Sequence, residues 1–331
     1  MIAFDFIIST KTIFGYQSIN KLNRIIKDNN YEKIALLVDH NMKHLEIVKK
    51  LSDKLKMISE FNIIECDISE PTYEKLEEKR FDSAKYKIDV IIAIGGGSTI
   101  DMAKGLSVLY SNIGPAISYR GFNQFNEPIL PIIALPSTAG SGSEITPSAS
   151  FIDTQEKRKM GINGEALRPK YAILDPELTL SCPKSSTISA GVDSMVHATE
   201  AFVAKKSNPM STMFAKKGFK LVFDNLPLLI NNLSNIQLRE RVMYGAFLSA
   251  VGLINSGTGP AAAMSYPLGV HYGVPHGIGG GIFLPHVIDH NINEGFFDYA
   301  DLYQPIKNNS TKEERYFPFY CKAISINHLS K

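Results

Sequence analysis

The chain reads as an α/β domain built on a parallel sheet, followed by an all-helical domain, and three observations predict it. Asp89–Lys104 (DVIIAIGGGSTIDMAK) passes from a β-branched apolar run through three glycines into a helix-like segment. Apolar strands then alternate with amphipathic helices as far as Tyr171–Leu174, the pattern of a sheet covered on both faces. After Pro183 helical periodicity continues with no strand between the segments. Asp175-Pro176 makes a natural break, so residues 1–177 are expected to form the first domain and 178–331 the second.

In chain order, Phe4–Phe14 reads as a strand and Gln17–Lys27 as a short helix. Lys33–Asp39 (KIALLVD) is an apolar strand ending on an acid. A carboxylate there, beside a dinucleotide, can accept ribose hydroxyls and repel a 2′-phosphate, although Asp39 precedes the glycine turn, the reverse of the usual order. Leu45–Lys56 is helical, Phe61–Asp67 a strand and Thr72–Lys87 an amphipathic helix leading to the strand Asp89–Ile94. Gly95, Gly96 and Gly97 let the backbone approach an anion closely, and the amides opening a helix favour negative charge. Ser98 adds a hydroxyl donor, while Asp101 in the first turn suits the helix dipole or a sugar hydroxyl. A purely steric role for the glycines is also open, because the run is not a G-x-G-x-x-G fingerprint.

The short strand Pro131–Pro136 leads into Ser137–Glu144 (STAGSGSE), a second loop of glycines and hydroxyls able to line a cofactor or cradle an anion. Ser148–Ile152 is strand-like, Asp153–Lys159 a charged turn and Tyr171–Leu174 a strand. Ser185–Lys205, Pro209–Asn231, Asn235–Asn255 and Gly277–Asn291 are the expected helices of the second domain. Such a division suggests a small-molecule cleft between the domains.

Composition narrows the function classes. With 331 residues, 44% of them hydrophobic and 21% charged, the chain is an ordinary globular sequence with room for two cores. A net charge of +2 leaves no basic excess for nucleic acid, and the lysines of Lys49–Lys56 and Lys75–Lys87 alternate with acids as on solvated helix faces. Cys66, Cys182 and Cys321 are too widely spaced for a disulfide framework or a thiolate cluster, which fits a reducing cytoplasm. The N-terminal MIAFDFIISTKTIFG lacks the features of a signal peptide, and no apolar run approaches the ~20 residues that span a bilayer. Neither nucleic acid nor a membrane is an expected partner.

Within Gly191–Glu200 (GVDSMVHATE), Asp193 and His197 lie four apart and share one helix face. A carboxylate and an imidazole so placed can clamp Zn²⁺ or Fe²⁺ if other residues complete the shell; otherwise they are a helix-stabilising pair. His271, His276 and His286 fall within HYGVPHGIGGGIFLPH, three of the chain's eight histidines, beside glycines that permit close backbone approach. His276, between Pro275 and Gly277, stands at an expected helix start.

Together GGGSTID (95–101), LPSTAGSGSE (135–144), ILDPELTLSCP (173–183), AGVDSMVHATEAF (190–202) and VPHGIGGGIFLPHV (274–287) resemble the iron-containing (group III) alcohol dehydrogenases, which share a fold with glycerol dehydrogenase and dehydroquinate synthase. The motifs run in the family's order over about the first 295 residues. The resemblance implies hydride exchange between NAD(H) and a small alcohol, its aldehyde or its ketone, assisted by a divalent metal, Fe²⁺ or Zn²⁺. It implies that Gly95, Gly96, Gly97 and Ser98 bind the NAD pyrophosphate and that Asp39 favours NAD over NADP. Thr138 and Ser141, on the loop that Ser137 begins, match the hydroxyls beside the ribose and nicotinamide, and Lys159 lies where a cofactor-contacting lysine is usual. Asp193, His197 and His276 match three of the four protein ligands of the metal. A homodimer in the cytoplasm is expected.

The chain departs from that pattern at two positions. The family's remaining ligand histidine lies fourteen positions before His276, where this chain has Ala262. A further family histidine, proposed to relay protons, lies ten positions before it, where this chain has Tyr266. His271 can rotate in as a replacement ligand or as the relay. Alternatively Asp193, His197 and His276 suffice, water and substrate completing the shell, and this is the favoured reading. Loss of the metal would leave Tyr266 as the acid/base, although a phenol with an ordinary pKa of ~10 needs help near neutrality. After about Tyr303 the sequence QPIKNNSTKEERYFPFYCKAISINHLSK no longer follows the family's ending, so a truncated or frame-shifted tail is expected. The alcohol can be a sugar-derived hydroxyl, and two other classes stay open: a lyase or cyclase acting on a sugar phosphate, and a catalytically impaired binding protein.

Overall fold

The computed structural model describes residues 3–67, 70–83 and 87–303. Two units are evident. One comprises Ile8–Thr138 and Ser143–Ser181, the other the segment up to Ile7, Ala139–Gly142 and the chain from Cys182 onward. The units thus divide at 181 rather than 177, and two short segments that precede this point in sequence belong with the helices.

The first unit contains β1 (Lys11–Phe14), α1 (Leu22–Asp28), β2 (Lys33–Asp39), α2 (Glu46–Lys56), β3 (Glu60–Cys66), α3 (Tyr73–Ser83), β4 (Val90–Gly95), α4 (Gly97–Ser111), β5 (Gly121–Phe122), β6 (Ile132–Pro136), β7 (Ser148–Asp153), β8 (Arg158–Asn163) and β9 (Tyr171–Leu174). Six strands form a parallel sheet in the order β1-β9-β6-β4-β2-β3. Successive side chains of a strand point to opposite faces, and the core follows that rule. Ile34, Leu36 and Val38 with Val90, Ile92 and Ile94 pack on one side against Leu22, Ile26, Leu51 and Leu55 of α1 and α2. Ala35 and Leu37 with Ile91 and Ala93 pack on the other against Leu76 of α3 and Ile100, Ala103 and Leu106 of α4. The chain leaves β2 for β3 at one edge and returns to β4 on the opposite side of β2. That reversal opens a crevice at the strands' carboxyl ends, and Asp39 and Gly95 stand on either side of it.

Two expectations need correction here. Only Lys11–Phe14 of the predicted Phe4–Phe14 strand joins the sheet, by pairing with β9. The predicted Asp153–Lys159 turn is shorter, because Arg158 already begins β8, which pairs antiparallel with β7 in a three-stranded sheet β5-β8-β7. β8 (RKMGIN) carries no apolar run, so its strand character comes from its partner.

The second unit consists of α5 (Lys184–Val203), α6 (Pro209–Leu229), α7 (Ile236–Ile254), α8 (Pro260–Tyr272) and α9 (His276–Asn293). α6 begins in a capping box in which Asn208 accepts from the amides of Met210 and Ser211 and Ser211 Oγ accepts from the Asn208 amide. The core joins Val192, Val196, Phe219, Val222, Leu226, Val242, Leu284 and Ile288. Sequence periodicity misses α8, which contains Pro267 and Gly269 and whose cap residue, Gly259, has no side chain to offer. No helix among the described residues is long and apolar enough to cross a membrane. The tail expected to be aberrant, from 304 onward, lies outside the described residues.

Candidate functional site

The start of α4 is shaped for close approach. A Cβ on Gly95 would lie 2.4 Å from Thr99 Oγ1 and 3.0 Å from Asp39 Cβ, so the turn out of β4 admits only glycine without rearrangement. Gly96 is the N-cap residue, and no side chain caps this end of α4. The first amides and the positive end of this 15-residue helix thus receive no cap from the N-cap residue, an arrangement that favours an anion. At the end of β6 the Ser137 amide donates to Gly95 O (2.9 Å), and Thr138 places its methyl 3.4 Å from where a Gly96 Cβ would stand. Ser137 and Thr138 thus line the turn that Gly95, Gly96, Gly97 and Ser98 form. Ser141 belongs to the Ala139–Gly142 segment of the helical unit, where a Cβ on Gly140 would lie 2.3 Å from Ala190 O.

At the end of β2 the Asp39 carboxylate accepts from the Asn41 amide (2.9 Å) and caps the turn that follows. Beside it, Lys43 and His40 both reach the Glu65 carboxylate. Their hydrogen bonds hold the Glu65 carboxyl down at about 2, so that it is ionised across the physiological range. Lys159 lies on β8 and ion-pairs with Glu70 at 2.7 Å.

Asp101 is engaged within the fold. Its Oδ1 accepts from Ser143 Oγ and its Oδ2 from the Ser150 amide (2.9 Å), with Lys104 Nζ 3.9 Å away. The carboxylate is committed to holding α4 against β7 and the loop before it, rather than turned toward a sugar. Burial raises its pKa, opposed chiefly by the Lys104 charge. Lys104 is itself fully buried, donates to Ser143 Oγ, Thr146 Oγ1 and Ser148 O, and is pushed down to about 8 by burial. Three satisfied hydrogen bonds make it a structural ammonium.

In the helical unit, Asp193 and His197 on α5 meet His276 at the first residue of α9. One ligand atom from each of the three lies within 4.8 Å of the others. Asp193 Oδ1 is 3.5 Å from His197 Nε2 and 3.8 Å from His276 Nε2. Ligands held about 2.0–2.2 Å from a tetrahedral ion lie about 3.3–3.6 Å from one another; the Asp193–His197 pair already has that spacing and the Asp193–His276 pair lies slightly beyond it. Asp193 and His197 are buried, and the buried Nδ1 of His197 makes no hydrogen bond to any described residue. One carboxylate and two imidazoles suit Zn²⁺ or Fe²⁺ and leave positions open.

Glycines bring these elements together. A Cβ on Gly277 would lie 2.0 Å from Ser189 O and 2.8 Å from Asp193 Cβ, and one on Gly279 would lie 2.9 Å from Ser265 Cβ. α9 therefore touches α5 and α8 almost backbone to backbone. Glu200, one turn beyond His197, fixes α8. Its carboxylate accepts from the amides of Gly259 (2.8 Å), Ala261 (2.7 Å) and Ala262 (3.2 Å), supplying from α5 the cap that α8 lacks. Burial pushes the Glu200 carboxyl up, and those three amides oppose it. Its position was readable in sequence, since 193, 197 and 200 share one helix face.

Ala262 is buried beside that cap and brings no ligand atom. Tyr266 lies flat on His276, with ring centroids 5.1 Å apart and planes 13° from parallel. His271 is exposed, packs edge-on against Tyr272 and is not part of the triad. Five residues turn a helix by about 140°, so Tyr266 and His271 face different ways. His286 is exposed as well.

The profile of the iron-containing alcohol dehydrogenases matches residues 9–176, and that of the C-terminal region of the Fe-containing alcohol dehydrogenase family matches 187–323. The NAD-dependent methanol dehydrogenase of Bacillus methanolicus is 29% identical over 310 residues, covering 90% of this chain and 79% of that protein. The crystal structure of a 1,3-propanediol oxidoreductase superposes with a TM-score of 0.89 at 27% identity, over 99% of this chain and 86% of the other. The sulfoacetaldehyde reductase of Bifidobacterium kashiwanohense, solved in complex with NAD⁺, gives 0.83 at 25% identity, over 88% and 77%. The parallel sheet with its glycine turn, the buried carboxylate and imidazole cluster and these matches agree: the chain belongs to the iron-containing alcohol dehydrogenases, oxidoreductases that exchange hydride between NAD(H) and an alcohol with a divalent metal.

Proposed function

We propose that this chain interconverts a small primary or secondary alcohol and its aldehyde or ketone, that Asp193, His197 and His276 are its metal ligands, and that Gly95, Gly96, Gly97, Ser98, Ser137 and Thr138 hold the NAD pyrophosphate and adjoining ribose. The observation that carries this reading is the meeting of three ligand atoms from two helices within 4.8 Å in the helical unit. The metal, when bound, supplies a Lewis acid that polarises the substrate oxygen. The chain's own residues do the rest. The amides opening α4 face the pyrophosphate charge, and Asp39 accepts ribose hydroxyls while opposing a 2′-phosphate, so NAD is preferred over NADP. Burial of Asp193 and His197 excludes water from their side of the cluster. Tyr266 keeps the His276 ring in place by stacking, and that is the role we assign it in preference to proton transfer.

The enzyme is proposed to work in the cytoplasm, in keeping with the wide sequence spacing of Cys66, Cys182 and Cys321. A homodimer is supported by the exposed Phe4, Ile7 and Ile8, an apolar stretch suited to a second copy of the chain. The test combines metal analysis with a panel of simple and sugar alcohols, followed by NADH absorbance near ~340 nm. Purified protein is expected to carry about one equivalent of metal and to reduce NAD with at least one alcohol. Asp193→Ala is expected to lose both properties while still binding NAD. Full metal content in that variant would refute the ligand set.

A further inference from the structure

We infer that Ser265 is a positioning residue for the metal centre, setting which nitrogen of His276 carries the lone pair that binds the ion. The inference rests on the proposed ligand set and adds a residue to it. Ser265 is almost fully buried on α8. Its Oγ donates to Ala262 O at 2.6 Å and lies 2.6 Å from His276 Nδ1. A serine hydroxyl carries one proton and two lone pairs. With that proton given to Ala262 O, the oxygen can only accept from His276, so Nδ1 carries the imidazole proton. Nε2 is then left with its lone pair, and Nε2 is the atom 3.8 Å from Asp193 Oδ1. A neutral imidazole binds metal through the nitrogen that lacks the proton, and the partner of the other nitrogen decides which one that is.

The surroundings are built to keep this contact. Gly279 removes the Cβ that would press on Ser265, and Tyr266 covers one face of the His276 ring. Glu200 anchors the start of α8 to α5, the helix that carries the other two ligands. Ala262 brings no ligand atom of its own, but its carbonyl orients the Ser265 hydroxyl. In a site with three protein ligands, the orientation of each bears more of the affinity.

Two measurements on the full chain decide the matter. Long-range proton–nitrogen correlation spectra of the metal-free protein, labelled with ¹⁵N-histidine, should place the neutral His276 proton on Nδ1. Competition between the protein and a chromophoric chelator for Zn²⁺ should show Ser265→Ala binding about 10- to 100-fold more weakly than wild type. Its His276 proton should shift toward Nε2, and Ser265→Thr, which keeps the hydroxyl, should recover most of the affinity. A wild-type His276 proton on Nε2 would overturn the inference without recourse to any variant. Unchanged Zn²⁺ affinity in Ser265→Ala would overturn it too. The Asp193→Ala protein, run alongside, isolates the ligand set: if it binds Zn²⁺ as tightly as wild type, the underlying reading fails instead.

Discussion

The chain has two runs of three glycines, Gly95–Gly97 and Gly279–Gly281, and they do opposite things. The first ends a strand and opens a helix whose N-cap residue offers no side chain. The second, with Gly277, lies inside α9, where absent Cβ atoms let that helix meet Ser189 and Asp193 of α5 and Ser265 of α8. At Gly96 the absent Cβ leaves space beside the turn, whereas at Gly277 and Gly279 it removes the space between neighbours. In sequence the two look alike, and only the elements around them separate the roles.

Substitution by alanine at Gly277, two residues before the second run, and at Gly96, within the first, should therefore separate the two roles. The largest effect is expected at Gly277. Alanine is the better helix former, yet its Cβ would sit 2.0 Å from a backbone oxygen that cannot swing aside. α9 must move off α5, at a cost near the top of the overpacking range, about 3 kcal/mol. The displaced helix carries His276, so Zn²⁺ binding should fall with stability. Thermal unfolding and metal titration of Gly277→Ala check both, and a variant as stable as wild type would erase the contrast between the runs.

Gly96→Ala should behave in the reverse manner. Gly96 has φ −75° and ψ −175°, which any residue adopts, and the nearest atom to an added Cβ is a Thr138 methyl carbon at 3.4 Å. Stability is expected to stay within about 0.5 kcal/mol of wild type. The methyl would nonetheless stand where the pyrophosphate approaches, and calorimetry should show NAD binding weakened about tenfold, or ~1.4 kcal/mol. Unaltered affinity would move the nucleotide away from this turn.

The same contrast explains how much of the molecule was legible beforehand. Buried strands such as Val90–Gly95 announce themselves by β-branched runs, and Asp193 and His197 by a spacing that any helix turns to one face. α8 does not announce itself, because Pro267 and Gly269 interrupt its pattern and its cap comes from Glu200, 59 residues earlier than Gly259. His271 misled for the same reason: proximity in sequence to His276 says nothing about direction until α8 is known to be a helix. Ser265 was silent, since its role depends on a carbonyl of its own helix and an imidazole of the next.

The smallest predicted effect concerns the far side of the glycine turn and asks whether the first run serves one nucleotide rather than two. Asp39 caps its own turn through an oxygen that asparagine also possesses, so Asp39→Asn keeps the Asn41 contact and removes only the charge. Two like charges about 4 Å apart in water repel by ~1 kcal/mol, equivalent to roughly a fivefold change in binding. NADP should therefore gain about fivefold over NAD in that variant, read as the ratio of kcat/KM values. The gain stays modest because Glu65, ionised at all physiological pH, still occupies both Lys43 and His40, the side chains that would otherwise meet a 2′-phosphate. If the ratio does not move, Asp39 acts as a cap alone and discrimination lies elsewhere. A gain well above tenfold would mean that Lys43 and His40 leave Glu65 for the phosphate.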